Sequence, residues 1–376
     1  MEFSIDLFPL GESILQELNI DSGNLKSKNI NSHQRAHYRA IINWLTKYHP
    51  QLRASNLEQI KGFLESFYLL CQIENWKPAK KILGLHVNPL IDNELHEYLH
   101  IWGHYQEQIS MYESLLGKYS LDLDSVIFNG LGITYHSLGK YQKAIECYKK
   151  DLEICQMIGN LEEQVASLGD LALAYHFLGN YDVANEYHEK CLDLINDISD
   201  SKKKGAVLGN MGLTCFKQGK SDLALDYQQK YLEIATEAND MSGQIAALGN
   251  LGNVFSSLGE NSKALDCYQK HLEIAVQLGD RWGEGAALHN LSSFYRKQHD
   301  YKQALNCILK SVLIFDDLNL STQKSLNQIQ KIKELMEFEG FQIIMNQQLQ
   351  IFSVEIGSSA VNHLLKRLNI NDFEDF

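Results

Sequence analysis

Three histidines at four-residue spacing are the first residues in this chain whose types and positions indicate chemistry. His96, His100 and His104 would share one face of a helix, as imidazoles do when they bind a metal ion. Gly103 favours the end of that helix just before His104, and no carboxylate or cysteine evidently completes the ligand set. We therefore predict no metal site and no cofactor, with ligation by these histidines as the alternative.

The sequence also lacks the short motifs that mark common catalytic sites. It contains no G-x-S-x-G, no H-E-x-x-H, no P-loop and no dinucleotide fingerprint. Acidic pairs such as Glu162-Glu163 are typical of solvated helix faces. We predict no catalytic residues and a protein that is not an enzyme.

Composition and charge limit the classes of partner. The 376-residue chain has 44% apolar and 22% charged residues and a formal net charge of −13, which would repel a phosphate backbone. The only notable basic run is Lys202-Lys203-Lys204. No apolar stretch reaches the roughly eighteen residues of a membrane span, and the first residues do not resemble a secretory signal. We expect a cytoplasmic protein that binds neither nucleic acid nor membrane.

The cysteines agree with that location. There are seven, an odd number, and no two of them form a C-x-x-C pair. This usage is typical of reduced, packed thiols in the cytosol and not of a disulfide framework or a zinc site.

A forty-residue repeat is the strongest signal for the fold. One column holds large or apolar residues, a second holds glycine with His299 as its last member, and a third holds alanine without exception. The columns are Tyr135, Tyr175, Cys215, Phe255 and Tyr295; Gly139, Gly179, Gly219, Gly259 and His299; and Ala144, Ala184, Ala224, Ala264 and Ala304.

Within each repeat, apolar residues recur at three- and four-residue spacing on both sides of the glycine, which predicts two amphipathic helices. The glycine ends and reverses the first helix, and the alanine lets the second helix pack closely against it. We predict five helical hairpins over residues 121–319.

These residues resemble the tetratricopeptide repeat family, in its forty-residue form similar to the kinesin light chain repeats. Gly132, Tyr135, Gly139, Ala144 and Tyr148 match the motif in the clearest copy. The resemblance implies an all-α, right-handed superhelical solenoid of helix-turn-helix repeats. The chain departs from the motif where a small residue is expected late in the second helix, at Asp151, Cys191, Tyr231, His271 and Ser311.

Flanking segments complete the predicted organisation. Residues 1–54 are expected to hold one amphipathic helix after a loosely organised start, and residues 55–120 two degenerate hairpins with Ala79 and Gln108 in the alanine position. Residues 320–376 are expected to form a capping helix, at 322–338, and an acidic tail.

In the family, the first helix of each hairpin lines a concave groove, where asparagine commonly hydrogen-bonds the backbone of an extended peptide. Here that column holds Asn210, Asn250 and Asn290, with Asp170 before them. A carboxamide offers both a donor and an acceptor to a peptide unit. Packing between repeats is the alternative role for these asparagines.

Neighbouring columns change in polarity along the predicted groove. An apolar side chain of the ligand is expected near Phe177 and Leu213, and an acidic group near Arg296 and Lys297. The remaining predicted groove residues are Leu173, Phe216, Lys217 and Asn253.

The function predicted from the sequence is a scaffold that binds an extended peptide or protein tail. A peptide-responsive regulator similar to the bacterial Rap proteins is the second possibility, on layout alone, and a non-catalytic subunit of an enzyme complex is the third. The type of repeat suggests a bacterial protein. The sequence specifies neither the partner nor the oligomeric state.

Overall fold

The computed structural model describes residues 11–356 apart from residues 22, 24, 26–29, 52–53, 88–92, 199, 319 and 337, together with residues 361, 365 and 366. The chain divides into two units, Met1–Tyr187 and His188–Phe376. The predicted acidic tail lies almost wholly outside the described residues.

The first unit is a series of α-helices packed mainly against their neighbours in sequence. The described part contains no strand, and one isolated bridge joins His86 to Glu94. Its helices are α1 (Gly11–Glu17), α2 (Ser32–Lys47), α3 (Asn56–Gln59), α4 (Lys61–Gln72), α5 (Trp76–Leu83), α6 (Leu95–Ile101), α7 (Tyr105–Leu115), α8 (Leu121–Ser137), α9 (Tyr141–Ile158) and α10 (Leu161–Phe177), and the unit ends within α11 (Tyr181–Ile198).

The second unit continues the same pattern, and hairpin partners make the most extensive contacts. The helices that follow α11 are α12 (Ser201–Lys217), α13 (Ser221–Glu237), α14 (Met241–Ser257), α15 (Asn261–Leu278), α16 (Arg281–Lys297), α17 (Tyr301–Asp317), α18 (Gln323–Leu335) and α19 (Phe338–Ile356). None of the described helices in either unit has the length and apolar character needed to cross a bilayer.

The predicted turns of the repeats are confirmed. The four glycines of the turn column have φ between 69° and 85°, and His299 adopts φ 60° at the same position. Each turn therefore uses the left-handed region, where glycine has no steric cost and other residues are uncommon. All five alanines of the third column are fully buried, as expected where two helices approach closely.

Polar side chains define where the first helices begin. The carboxylates of Asp200, Asp240 and Asp280 accept hydrogen bonds from backbone N–H groups three residues later, in α12, α14 and α16. Such caps satisfy donors that the helix leaves unpaired and lie favourably at its positive end.

Where the second helix departs from the family motif, neighbouring helices compensate. Tyr231 lies over Gly205 and Gly209 of α12, and a Cβ atom on Gly209 would lie 2.6 Å from the ring. Asp151 is fully buried on α9 and accepts hydrogen bonds from Ser125 Oγ at 2.5 Å and Ser167 Oγ at 2.7 Å. A bulky or charged residue is tolerated because space or donors are supplied from the first helices.

Two segments contain more helix than the sequence predicted. Among the described residues before 54 there are two helices instead of one, and α1 packs so closely on α2 that a Cβ atom on Gly11 would overlap Leu45 O. Near the other end, α18 is followed by α19, which contacts both α17 and α18. The expected single capping helix is therefore a further hairpin, whose buried side chains include Phe341, Met345 and Phe352.

Candidate functional site

In the second unit, three asparagines lie at equivalent positions on α12, α14 and α16. These first helices contact each other in succession, and Asn210, Asn250 and Asn290 are all half-buried. We call this surface the asparagine face. A Cβ atom on Gly249 would lie 3.9 Å from Asn290 Nδ2, which places the Asn290 carboxamide against the preceding repeat.

Gln228, which was not predicted from the repeat pattern, orients the central asparagine. Gln228 is fully buried on α13, donates from Nε2 to Gly209 O at 2.6 Å and accepts at Oε1 from Asn250 Nδ2 at 3.3 Å. Two other repeats have tyrosine at the equivalent position, Tyr148 and Tyr268. The change from tyrosine to glutamine is the feature of the sequence that could have identified Gln228.

The other two asparagines differ from Asn250. Among the described residues, neither the Asn210 nor the Asn290 side chain has a hydrogen-bond partner. Half-buried carboxamides without a protein partner are available to a ligand, and each offers a donor and an acceptor.

Further residues predicted to line this face differ in accessibility. Leu213 is half-buried and Lys217 is exposed. Phe216 packs partly against the cluster of Cys215, Ala224 and Val254, so its ring is partly structural. Asn253 is exposed and accepts a hydrogen bond from Tyr268 OH at 2.8 Å, a partner that the repeat pattern did not predict.

Positive charge lies on the last hairpin of the face. Arg296 is half-buried, and its Nε is buried without a hydrogen-bond partner in the described structure. Lys297 is exposed and donates to Ser256 Oγ at 3.3 Å. Because this Nε–H is closed to solvent, a carboxylate bound here would accept from the other guanidinium N–H groups or from Lys297 Nζ, and charge-assisted hydrogen bonds of this kind are the stronger ones.

In the first unit, the equivalent surface of α10 carries Asp170, Leu173 and Phe177. Asp170 accepts a hydrogen bond from Asn129 Nδ2 at 3.2 Å. Burial raises the pKa of Asp170 to about 6; the hydrogen bond from Asn129 opposes this rise, and the negative charge of Asp151 adds to it. The Asp170 carboxyl group therefore keeps its proton to a higher pH than an ordinary aspartate does.

Phe177 belongs to a chain of ring contacts within the first unit. The residue is 54% exposed, and its ring stacks on Tyr141 with centroids 5.6 Å apart and lies edge-on to His136 with centroids 5.0 Å apart. Burial lowers the pKa of His136, which favours the neutral imidazole. Together with half-buried Leu173, these rings form an accessible apolar surface.

The histidines considered as metal ligands are used otherwise. His96 bonds to Glu94 Oε2 at 2.7 Å and to Tyr112 OH at 2.8 Å, while His100 lies near Gln108 and Ser137. Gly103 ends the helix before His104, as predicted. No group of three or more potential ligands with metal-site geometry occurs among the described residues.

One family model matches the repeat region of this chain. The tetratricopeptide repeat model matches residues 123–197, 163–237 and 203–277. A search of curated proteins gives no significant match.

Among solved structures, aspartyl phosphate phosphatase F from Bacillus subtilis is similar over 89% of this chain and 94% of its own, with 13% identity and a TM-score of 0.51. A Rap protein complexed with competence and sporulation factor is similar over 96% and 97% of the two chains, with 14% identity and a TM-score of 0.49. Kinesin light chain TPR-like repeats from Podosopora anserina match over 51% and 94%, with 17% identity and a TM-score of 0.43. With the forty-residue columns and the helical hairpins, the family match shows that residues 123–277 of this chain are tetratricopeptide repeats.

Proposed function

We propose that this protein is a non-catalytic interaction module that binds an extended peptide segment of a partner on its first helices. The observation that carries the proposal is the repetition of half-buried asparagine carboxamides on α12, α14 and α16, two of which lack a partner among the described residues. Equivalent amide groups one repeat apart suit a peptide backbone, whose donors and acceptors recur whatever its side chains.

Charge on the asparagine face supports a ligand with an acidic group. Lys217, Arg296 and Lys297 are its charged side chains, although the chain as a whole is strongly acidic. One helical turn before each asparagine the chain has alanine, and one turn after it has leucine, asparagine or serine: Ala206, Ala246 and Ala286, and Leu213, Asn253 and Ser293. We propose that a ligand carboxylate binds at Arg296 and Lys297.

In the first unit, we propose that Leu173 and Phe177 bind an apolar side chain, with Asp170 beside them. Phe177 supports this role because more than half of its surface is accessible while Tyr141 and His136 hold the ring in place. Burying such a ring in an interface releases water from a large apolar surface.

Peptides selected from a displayed random library on the intact protein provide the test. The Asn210→Ala, Asn250→Ala, Asn290→Ala triple variant should bind them about tenfold or more weakly, because several backbone hydrogen bonds are lost at once. Replacing Arg296 and Lys297 by alanine should weaken binding and flatten its salt dependence. Affinities are measured by calorimetry.

A matched control replaces exposed carboxamides on second helices, Gln229→Ala and Gln269→Ala, and should leave the affinity unchanged. No loss in the triple variant would show that the asparagines do not bind the peptide. Equal loss in the control would show that the effect is not specific to the asparagine face.

A peptide-responsive regulator is the second candidate function. The observation in its favour is that helices before the repeats form a packed core within the first unit, in which Ile14, Ile41, Ile60 and Phe67 are fully buried. If this candidate is correct, a selected peptide changes hydrogen exchange in α1–α4; exchange that changes only in the repeats favours a simple binding module.

A further inference from the structure

One edge of the second unit carries a group of exposed apolar side chains away from the asparagine face. It is formed where α13, α15 and α17 end and α14, α16 and α18 begin, and it includes the turns at 238–240 and 279–280. Trp282 is 60% exposed, and this fraction is unusual for so large an apolar group. We call this surface the Trp282 edge, and its apolar members are Met241, Val276, Leu278, Trp282, Leu318 and Leu320.

The structure brings these segments together. The first helices α14 and α16 contact each other, and α15 and α17 each contact α16. A Cβ atom on Gly285 would lie 2.8 Å from Phe315, and Arg281 Nη2 lies 3.8 Å from Asp317 Oδ2, so the start of α16 adjoins the end of α17. The exposed side chains therefore share one edge of the unit.

The rim of this edge is acidic. Residues 237–242, 273–284 and 316–320 include seven acidic residues and one basic residue, Arg281. Arg281 Nη1 is paired with Glu284 at 2.6 Å, and its Nη2 is near Asp317, so its charge is already balanced. The basic run at 202–204 lies one repeat away on α12, where Lys203 is paired with Asp200.

We propose that the Trp282 edge binds a basic amphipathic helix of another protein. An apolar patch rimmed by one sign of charge marks an interaction surface and selects a partner of opposite charge. A helix with leucine-like residues on one face and lysine or arginine on the flanks would bury Trp282 and meet the acidic rim. The anchor is Trp282, since exposed tryptophan at the centre of such a patch contributes most to binding.

Two other occupants fit the charge less well. A second copy of this chain carries the same acidic rim and the same net charge of −13, so pairing edge to edge would bring like charges together. An anionic membrane surface would be repelled for the same reason.

The test uses short synthetic peptides of leucine and lysine and the intact protein, with binding followed by fluorescence anisotropy at physiological ionic strength. The amphipathic peptide should bind, and a peptide with glutamate in place of lysine should not. Trp282→Ala should weaken binding about tenfold or more. Val354→Ala removes an apolar side chain that is 88% exposed on α19 and serves as the matched control.

Two further controls separate this site from charge attraction alone and from the asparagine face. A scrambled peptide of the same composition should bind at least tenfold more weakly, and Asn250→Ala should leave the affinity unchanged. The proposal is overturned by equal binding of amphipathic and scrambled peptides, by unchanged affinity of Trp282→Ala, or by a dimer in sedimentation equilibrium that Trp282→Ala dissociates. Circular dichroism confirms that each variant is folded.

Discussion

Asp170 takes the position that asparagine occupies in the later repeats, and a single hydrogen bond from Asn129 supports it. Because burial raises its pKa to about 6, the folded protein binds this proton more tightly than the unfolded chain does. The free energy of unfolding therefore falls as the pH rises from about 4 to about 6, and the cost of holding the ionised carboxylate is present at pH 7.

Asp170→Asn should remove that cost while an amide oxygen still accepts from Asn129. We expect the variant to be more stable than the wild type by about 1–2 kcal/mol at pH 7, with the difference lost below about pH 4. Urea unfolding at both pH values measures it. A difference that is the same at both values would mean that ionisation of Asp170 is not its cause.

At the scale of a helix pair, the close packing of Tyr231 on α12 depends on glycine. A methyl group at Gly209 would meet the Tyr231 ring at 2.6 Å, whereas Gly169, forty residues earlier, has nothing within 4 Å of its added Cβ atom. Replacing glycine by alanine at these two equivalent positions therefore distinguishes the effect of packing on stability from the effect of helix propensity.

Gly209→Ala should destabilise the protein by about 1–3 kcal/mol, because the ring must shift in a packed interior. Gly169→Ala should stabilise it by about 0.5–1 kcal/mol, since alanine favours the helix and meets no neighbour. Thermal unfolding of both variants provides the comparison. Equal effects of either sign would show that the Tyr231 contact does not limit the packing of α12 and α13.

The elements that could be predicted from sequence are those in which one residue type recurs because the structure of its own hairpin requires it. Gly139 and Ala144 mark a turn and a close helix contact within their own hairpin, so their columns identified the hairpins. Gln228 and Asp151 could not be interpreted in this way, because their shortest hydrogen bonds are to other helices, 16 to 26 residues away. Helix α19 was missed because it lacks both columns.

For the candidate site, the sequence predicted which positions share a face but not how available each side chain is. Asn210 and Asn250 occupy identical positions in the repeat, yet only the Asn250 carboxamide is held by a buried glutamine. Phe216 was predicted to line the groove, and its half-buried ring also packs partly against the core. These differences depend on contacts between hairpins, and equivalent positions compared along the sequence give no information about such contacts.

At the scale of the whole molecule, stability in stacked repeats depends on nearest neighbours. In the second unit, α19 packs on α17 and α18, and Phe352 is 1% exposed in their common core. A defect there should loosen the adjoining helices first and leave distant repeats of the same unit protected.

Phe352→Ala should therefore increase amide hydrogen exchange in α17 and α18 and change it little in α12 and α13, with a loss of about 3–5 kcal/mol in the local opening free energy. Val354→Ala, in the same helix but exposed, should change neither region. Mass spectrometry of exchanged peptides resolves the regions. A uniform increase through α12–α18 would instead indicate that the unit opens as one body.

The aspartate caps give the turns between repeats of the second unit the same structure, so that one turn could replace another. Asp240 and Asp280 begin α14 and α16 through the same side-chain hydrogen bond, and each follows a turn residue with positive φ, Asn239 or Gly279. Excising residues 241–280 would join Asp240 to Arg281 and leave a correctly capped helix at the new junction. Repeats of forty residues could thus be removed or inserted at these turns. Each such change would alter the number of asparagines on the asparagine face by one.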